Sequence, residues 1–417
     1  MEMLKQDFTF KEFLYLVRRG DYFTYFKPEA LKTDEKREKL KNRLLQEVED
    51  NLNTHSYAFP TLKQITLKNK TAFVLAKIDP PRINLLQRLT DDFVLRKANR
   101  NLRRVYGVRQ ADRFKIIKNV QSLLSENLPF YVCKTDISQF YESIDKSKIL
   151  ADIKDSSILS HDTKCLLDQL FNHQILRQHS GLPRGINISA TLSEYFMRKF
   201  DKEVRKIDGF FYYARYVDDI IIFSTKEITK AMIKQIGVRL PDGLKLNMQK
   251  TQRLKFKSGS KVQFLGYLFE KQDKLLKTSI APKKIKRIKE RVIKAFLAFV
   301  KNRDFKLLKD RLLFLSANYP LKSPKQELSK YENAGYLHGG IAYNYPLIDD
   351  FACLRELDTF LNQILYASGF GRINRLFTSE QIAELKKYSF YSGFQRRISR
   401  KFKLSRLDDI IKCWGQE

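Results

Sequence analysis

Phe210-Phe211-Tyr212-Tyr213-Ala214-Arg215-Tyr216-Val217-Asp218-Asp219-Ile220-Ile221-Ile222-Phe223 is the stretch from which the rest of the chain is best read. Aromatic and β-branched residues run at strand length on either side of an Asp-Asp pair that stands where a turn is expected. The segment therefore predicts a β-hairpin with two adjacent carboxylates at its tip. Asp is a common turn residue, and an isolated Asp-Asp turn reads as solvated punctuation. At a buried sheet edge, however, two side-by-side carboxylates repel unless a cation lies between them, which points to a divalent metal.

A second carboxylate site upstream strengthens that reading. Tyr131-Val132-Cys133-Lys134-Thr135 is a short apolar strand that ends in Asp136, followed by Ile137-Ser138-Gln139-Phe140-Tyr141. Phosphoryl transfer by two metals draws carboxylates from separate chain segments onto both ions. Asp136 and Asp218 are the expected bridging pair, Asp219 an accessory ligand, and Ile137 is counted with the metal shell beside Asp136. Two Mg²⁺ ions suit such hard oxygen ligands, with Mn²⁺ as the alternative. One ion would lower the pKa of an attacking hydroxyl, and the other would neutralise a triphosphate leaving group.

In order along the chain, these segments resemble the motifs of reverse transcriptases, over residues 60–300. Asp136 with Phe140-Tyr141 resembles the first palm motif, and Gly181-Leu182-Pro183-Arg184-Gly185-Ile186-Asn187-Ile188-Ser189 the second. Tyr216 to Asp219 is similar to the third, Leu246-Asn247-Met248-Gln249-Lys250-Thr251 to the fourth, and Phe264-Leu265-Gly266-Tyr267 to the fifth, the primer grip. Tyr106-Gly107-Val108-Arg109-Gln110 looks like the fingers segment of bacterial members. One four-residue motif would be a weak signal, but five in order are a strong one.

The resemblance implies an α+β, right-hand polymerase: fingers from 60–125 and 146–180, an antiparallel-sheet palm from 126–145 and 181–275, and a helical thumb from 276–346. N-terminal (1–59) and C-terminal (347–417) helical extensions flank it. The 320–346 stretch carries enough Pro and Gly to mark a loop-rich connection. Ile285, Ile288, Val292, Phe296 and Phe299 recur at helical spacing after Pro282, with Lys and Arg between them.

Site roles follow from the same resemblance. Tyr141 is the expected bulky gate under the nucleotide sugar, favouring deoxynucleotides. Phe140 shares the site, but adjacent strand positions face opposite ways, so one of the two rings fills the core. Gly181 to Gly185 form a tight loop before a helix capped near Ile188 or Ser189. Arg184 stands where the family usually has Gln, beside Gly185, and brings a fixed cation to the nucleotide or template. Lys250, after an expected strand, would face the leaving pyrophosphate as a catalytic ammonium. Lys68 and Lys70 have the hairpin-tip placement of triphosphate-binding cations.

The formal net charge of +32 on 417 residues is spread along the chain and attracts polyanions. Arg100, Arg103, Arg104, Arg109 and Arg113 form one cluster, Lys283, Lys284, Lys286, Arg287, Lys289 and Arg291 a second, and Arg396, Arg397, Arg400, Lys401 and Lys403 a third. These suit a template-primer duplex or a structured RNA. No lipid anchor or spanning segment accompanies the charge, and the N-terminus lacks the apolar run of a secretory signal, so a bacterial cytoplasmic protein without membrane partners is expected. The four Cys residues show no zinc or disulfide spacing and read as free thiols.

Among reverse transcriptases, the chain resembles the stand-alone enzymes of bacterial defence and abortive infection. That resemblance implies antiphage DNA synthesis on a noncoding RNA template from deoxynucleoside triphosphates, primed by nucleic acid or by the protein itself. A homo-oligomer or a second polymerase subunit is the expected partner. A retron-like or group II intron-derived enzyme is the alternative, and a silent nucleic-acid-binding protein of the same fold is the third reading.

Overall fold

The computed structural model describes residues 5–18, 21, 25–26, 33–52, 57–67, 70–76, 85–320, 338–366, 375–400, 402 and 404–415. These fall into two compact units, one drawn from 1–112 and 130–255, the other from 113–129, 256–323 and 335–417.

In the first unit a four-stranded sheet runs in the order Phe210–Tyr216, Asp219–Ser224, Phe130–Asp136, Gln252–Phe256. The expected hairpin is there: Phe210–Tyr216 and Asp219–Ser224 pair antiparallel, closed by Tyr216 opposite Asp219. Ile220, Ile221, Ile222 and Phe223 have no exposed surface, because their strand is central and covered on both faces. The helix Asn187–Arg205 presents Ile188, Leu192, Met197, Phe200 and Val204 to this core at helical spacing.

The same core extends to the helix Leu85–Val105 and to the hairpin Leu62–Leu67/Lys70–Leu75 through Phe73, Val94, Ala98 and Leu102. Helices Lys146–Asp155 and His161–Asn172 add Ile149, Ile153, Leu167 and Leu170. A smaller apolar cluster joins the helices Phe10–Leu14 and Asp34–Leu52 to Leu85–Val105 by Phe13, Leu45, Val48, Leu89 and Phe93. Buried ion pairs tie the same segment down. Arg96 Nη1 and Nη2 donate to Asp21 at 2.7 and 2.9 Å, and Lys97 Nζ donates to Glu12 at 2.7 Å.

Three local expectations change. Phe140 and Tyr141 sit in a helical turn, Phe140–Ser143, rather than at adjacent strand positions, because the strand ends at Asp136 and Gln139 turns the backbone left-handed at φ +45°. The long helix begins at Asn187, with Ile186 as its N-cap and no side-chain cap; the Ser189 hydroxyl instead donates to Pro183 O at 2.6 Å. The strand expected before Lys250 is a single bridge, Ile137 with Leu246, followed by a turn.

The second unit holds a three-stranded meander, Lys261–Phe264, Tyr267–Gln272 and Leu275–Ile280. The helix Pro282–Asn302 follows it, burying Ile285, Val292, Phe296 and Phe299 and leaving its basic side outside. Phe305–Ser316, Ala352–Tyr366 and shorter helices complete the unit. Most of the loop-rich 320–346 stretch lies outside the described residues. The four cysteines are free, and among the described residues no helix is long and apolar enough to cross a membrane.

Candidate active site

Pairing of the two central strands brings the three acidic residues to one end of the sheet. Asp136 lies directly opposite Asp219 in the antiparallel register, and Ile137 N donates to Asp218 O at 3.1 Å. Cross-strand partners of this kind have Cα atoms about 5 Å apart. Asn247 N fastens the corner by donating to Asp136 O at 2.7 Å. The turn itself is strained, since Val217 takes the left-handed backbone, φ +60°, which a β-branched side chain disfavours.

The electrostatics match crowded carboxylates. Burial, with the neighbouring charge of Asp218, pushes Asp219 up to about 6. Burial also raises Asp218, helped by the charge of Asp136 and opposed by its own backbone N–H. Asp136 is 7% exposed, and its Oδ1 is buried without a hydrogen-bond partner. The other oxygen, Oδ2, accepts from Lys250 Nζ at 2.7 Å, and that bond is the first cause holding the ammonium above its ordinary range. Among the described residues no three His, Cys, Asp or Glu side chains close into a metal cluster. An unpartnered buried carboxylate oxygen beside two like-charged acids is nonetheless a donor set that fits a hard divalent cation. Ile137 offers such an ion only backbone atoms, for its side chain is apolar and 1% exposed.

Arg215, which sequence reasoning passed over, holds the strained turn from beneath. Its Nη1 donates to Val217 O at 2.9 Å, its Nη2 pairs with Glu194 at 2.7 Å and Asp201 at 2.8 Å, and its Nε donates to Asp201 at 2.9 Å. Both carboxylates come from the helix Asn187–Arg205. A buried guanidinium thus links that helix to the backbone next to Asp218.

A glycine-bounded loop forms a second wall. Gly181 and Gly185 take φ +78° and +91°, and a Cβ on them would lie 2.4 Å from Tyr141 O and 2.3 Å from Phe73 O. Leu182 N donates to Tyr141 O at 2.8 Å and Phe73 N to Arg184 O at 2.7 Å, so the loop is fixed between the Tyr141 turn and the Lys70–Leu75 strand. Arg184 forks onto Glu142, Nε to Oε1 at 2.7 Å and Nη2 to Oε2 at 3.0 Å, and its guanidinium lies 5.0 Å from the Tyr141 ring centre. The Arg184 bond is the first cause holding Glu142 down at about 2. Lys70 Nζ approaches the same carboxylate at 3.6 Å. Phe140 is buried, while Tyr141 is half-buried. Lys68 lies outside the described residues.

The remaining candidates divide between the units. Phe264 and Tyr267 are each 1% exposed, and Leu265 and Gly266 between them, at φ +45° and +86°, make a two-residue turn of the primed kind. Arg113, grouped by sequence with the Arg100 cluster, belongs to this second unit. It donates to Leu265 O at 2.6 Å and Asn344 O at 3.0 Å and lies over the Tyr267 and Tyr345 rings, so it supports the turn. Lys283 and Arg287 are exposed on the helix Pro282–Asn302, and Lys284 is half-buried there. In the first unit, Arg100, Arg103, Arg104 and Arg109 line one cavity of about 620 Å³ together with Arg18 and Arg96. Arg100 Nη1 is buried there without a hydrogen-bond partner. Sequence reasoning did not count Arg18 and Arg96 with this cluster, although Arg96 stands one helical turn before Arg100.

No curated protein is significantly similar in sequence. Among solved structures, apo telomerase from Candida tropicalis truncated from its C-terminal domain matches with TM-score 0.36 at 15% identity, covering 57% of this chain and 60% of that one. Telomerase from Candida albicans in complex with the TWJ fragment of telomeric RNA matches with TM-score 0.37 at 12% identity, over 85% and 62%. The corresponding Candida tropicalis complex matches with TM-score 0.38 at 12% identity, over 91% and 72%. The chain thus spans about three fifths of the length of the first two. The profile of the reverse transcriptase (RNA-dependent DNA polymerase) family matches residues 35–269, more than half of the chain and all of the Asp136, Asp218 and Asp219 corner. The chain belongs to the reverse transcriptase family of RNA-dependent DNA polymerases.

Proposed function

We propose that this chain synthesises DNA on an RNA template, adding deoxynucleotides at the corner formed by Asp136, Asp218 and Asp219. The observation that carries the reading is the register placing Asp136 opposite Asp219 with Ile137 N on Asp218 O, within a chain of this family. Asp136, Asp218 and Asp219 would hold two divalent cations, Mg²⁺ or Mn²⁺, which supply an activated hydroxyl and neutralise charge on the triphosphate. The Asp136 strand and the hairpin turn orient the acids, and Arg215 keeps the turn in place. Lys250 brings an ammonium to the same corner and can neutralise or protonate a departing oxyanion. Tyr141, half-buried beside Arg184, would bear on the nucleotide sugar.

In this reading the four-stranded sheet is the palm, the Leu62–Leu75 hairpin and the helices around it the fingers, and the helix Pro282–Asn302 part of the thumb. The arginine-lined cavity supports RNA as the partner: Arg100, Arg103, Arg104 and Arg109, with a buried unpartnered nitrogen on Arg100, suit a phosphate backbone. The role in bacterial antiphage defence with a noncoding RNA template is carried by motif resemblance alone.

Primer extension on an RNA template tests the chemistry. Labelled deoxynucleotide should enter a primer opposite RNA, and a chain that binds RNA yet never extends the primer would support the silent, binding-only reading instead. Sequencing nucleic acid that co-purifies from the native host tests the biological role. A single structured noncoding RNA with complementary DNA is expected, whereas intron or retron sequences would redirect it.

A further inference from the structure

We infer that Glu142 and Arg184 form a clamp that fixes the Tyr141 ring and thereby sets the choice between deoxy- and ribonucleotides. The inference rests on the polymerase reading above and assigns its sugar selectivity to a pair of residues beside the gate.

The Tyr141 ring is held at three places. Phe140 meets it edge-on with ring centres 5.4 Å apart. Its phenol lies beside Ser193 on the helix Asn187–Arg205, whose hydroxyl donates to Ala190 O at 2.9 Å. Arg184 covers the ring with its guanidinium 5.0 Å from the centre. The first two contacts come from residues buried at 2% and 1% and cannot shift without disturbing the core. The third rests on a side chain that is one-third exposed and would otherwise sample many rotamers. What removes that freedom is Glu142, whose two oxygens each accept from a different nitrogen of the Arg184 fork. Glu142 directly follows Tyr141 on the same helical turn, so the carboxylate that orients the cation moves with the ring it covers. The backbone closes the circuit, because Leu182 N bonds Tyr141 O and Gly181 leaves no space for a Cβ against it.

The alternative role for Arg184 is a direct phosphate ligand. Its Nε and Nη2 already face a carboxylate, which leaves only the Nη1 edge open to a triphosphate. Lys70, 3.6 Å from Glu142 and mostly exposed, is the freer cation for that purpose. Arg184 and Glu142 are therefore positioning residues, acting through Tyr141.

Single-turnover incorporation of dATP and ATP, together with equilibrium binding of each to a primer ended in a dideoxynucleotide, tests the clamp in the full chain. Glu142→Gln, Arg184→Gln and Arg184→Lys are compared with the charge-swapped double variant Glu142→Arg/Arg184→Glu. Both positions are about one-third exposed, so none of these changes empties the core. In each single variant the dATP-to-ATP preference should fall about tenfold. The double variant should recover part of the lost preference. The clamp is overturned if the single variants weaken dATP and ATP by the same factor, which is the signature of a phosphate contact. If the wild-type chain adds no deoxynucleotide at all, the polymerase reading fails, and the clamp is judged by binding alone: no preference for dATP over ATP in the wild type would overturn it too.

Discussion

Arg215 donates to Val217 O while Glu194 and Asp201 share its remaining nitrogens, so a neutral residue there would strand two largely buried carboxylates. Arg215→Met is expected to destabilise the chain by about 3–5 kcal/mol, the usual penalty for breaking one side of a buried charge network. Urea unfolding checks this, and a loss under about 1 kcal/mol would show that the network is not what supports the turn. Glu142 gives a pH expectation. Its folded value of about 2 lies below the ordinary 4.5, so its contribution is complete above about 4.5 and is lost only as pH falls through about 2. Sugar discrimination should then be flat from about pH 6 to about pH 8.5, and a single titration step in that range would point to another group. The three aspartates were readable from sequence because acidic pairs that interrupt apolar strands are a local signal. Arg215 and Glu142 were not, since their partners lie 14 to 42 residues away and only tertiary pairing brings them together.

At the level of elements, the Gly181 to Gly185 loop is the tightest fit in the first unit. Gly185→Ala would press a Cβ to 2.3 Å from Phe73 O at a backbone φ of +91°. A cost of at least about 1–3 kcal/mol is expected from the backbone alone. The accompanying shift of the loop from the Lys70–Leu75 strand should also lower nucleotide affinity. Thermal unfolding and nucleotide titration of the same variant check the two parts, and an unchanged melting temperature would contradict the close approach. The hairpin and the helix after Pro282 were readable because each repeats its burial period over several residues. The Phe140–Ser143 turn and the isolated Ile137–Leu246 bridge were not, because four residues are too few for a period and the bridge depends on a partner 109 positions away.

Across the whole molecule, the net charge of +32 and the arginine-lined cavity make RNA binding an electrostatic matter. Affinity for a structured RNA should fall about 10³-fold or more between about 50 and 200 mM salt if six or more phosphates are contacted. Filter binding across that range measures the slope, and a flat response would exclude phosphate-dominated contacts. The charge itself was plain in the sequence, but which arginines share a cavity was not: Arg18 joins Arg100 only through folding, and Arg113 falls in the other unit. The account as a whole stands on the acidic corner. Its most direct test is single-turnover deoxynucleotide incorporation on an RNA template by Asp218→Asn/Asp219→Asn, with RNA binding measured in parallel. Incorporation should drop by at least about a thousandfold, about 4 kcal/mol of barrier, while RNA affinity stays within about threefold. Synthesis at the wild-type rate by this double variant would contradict the assignment of the site.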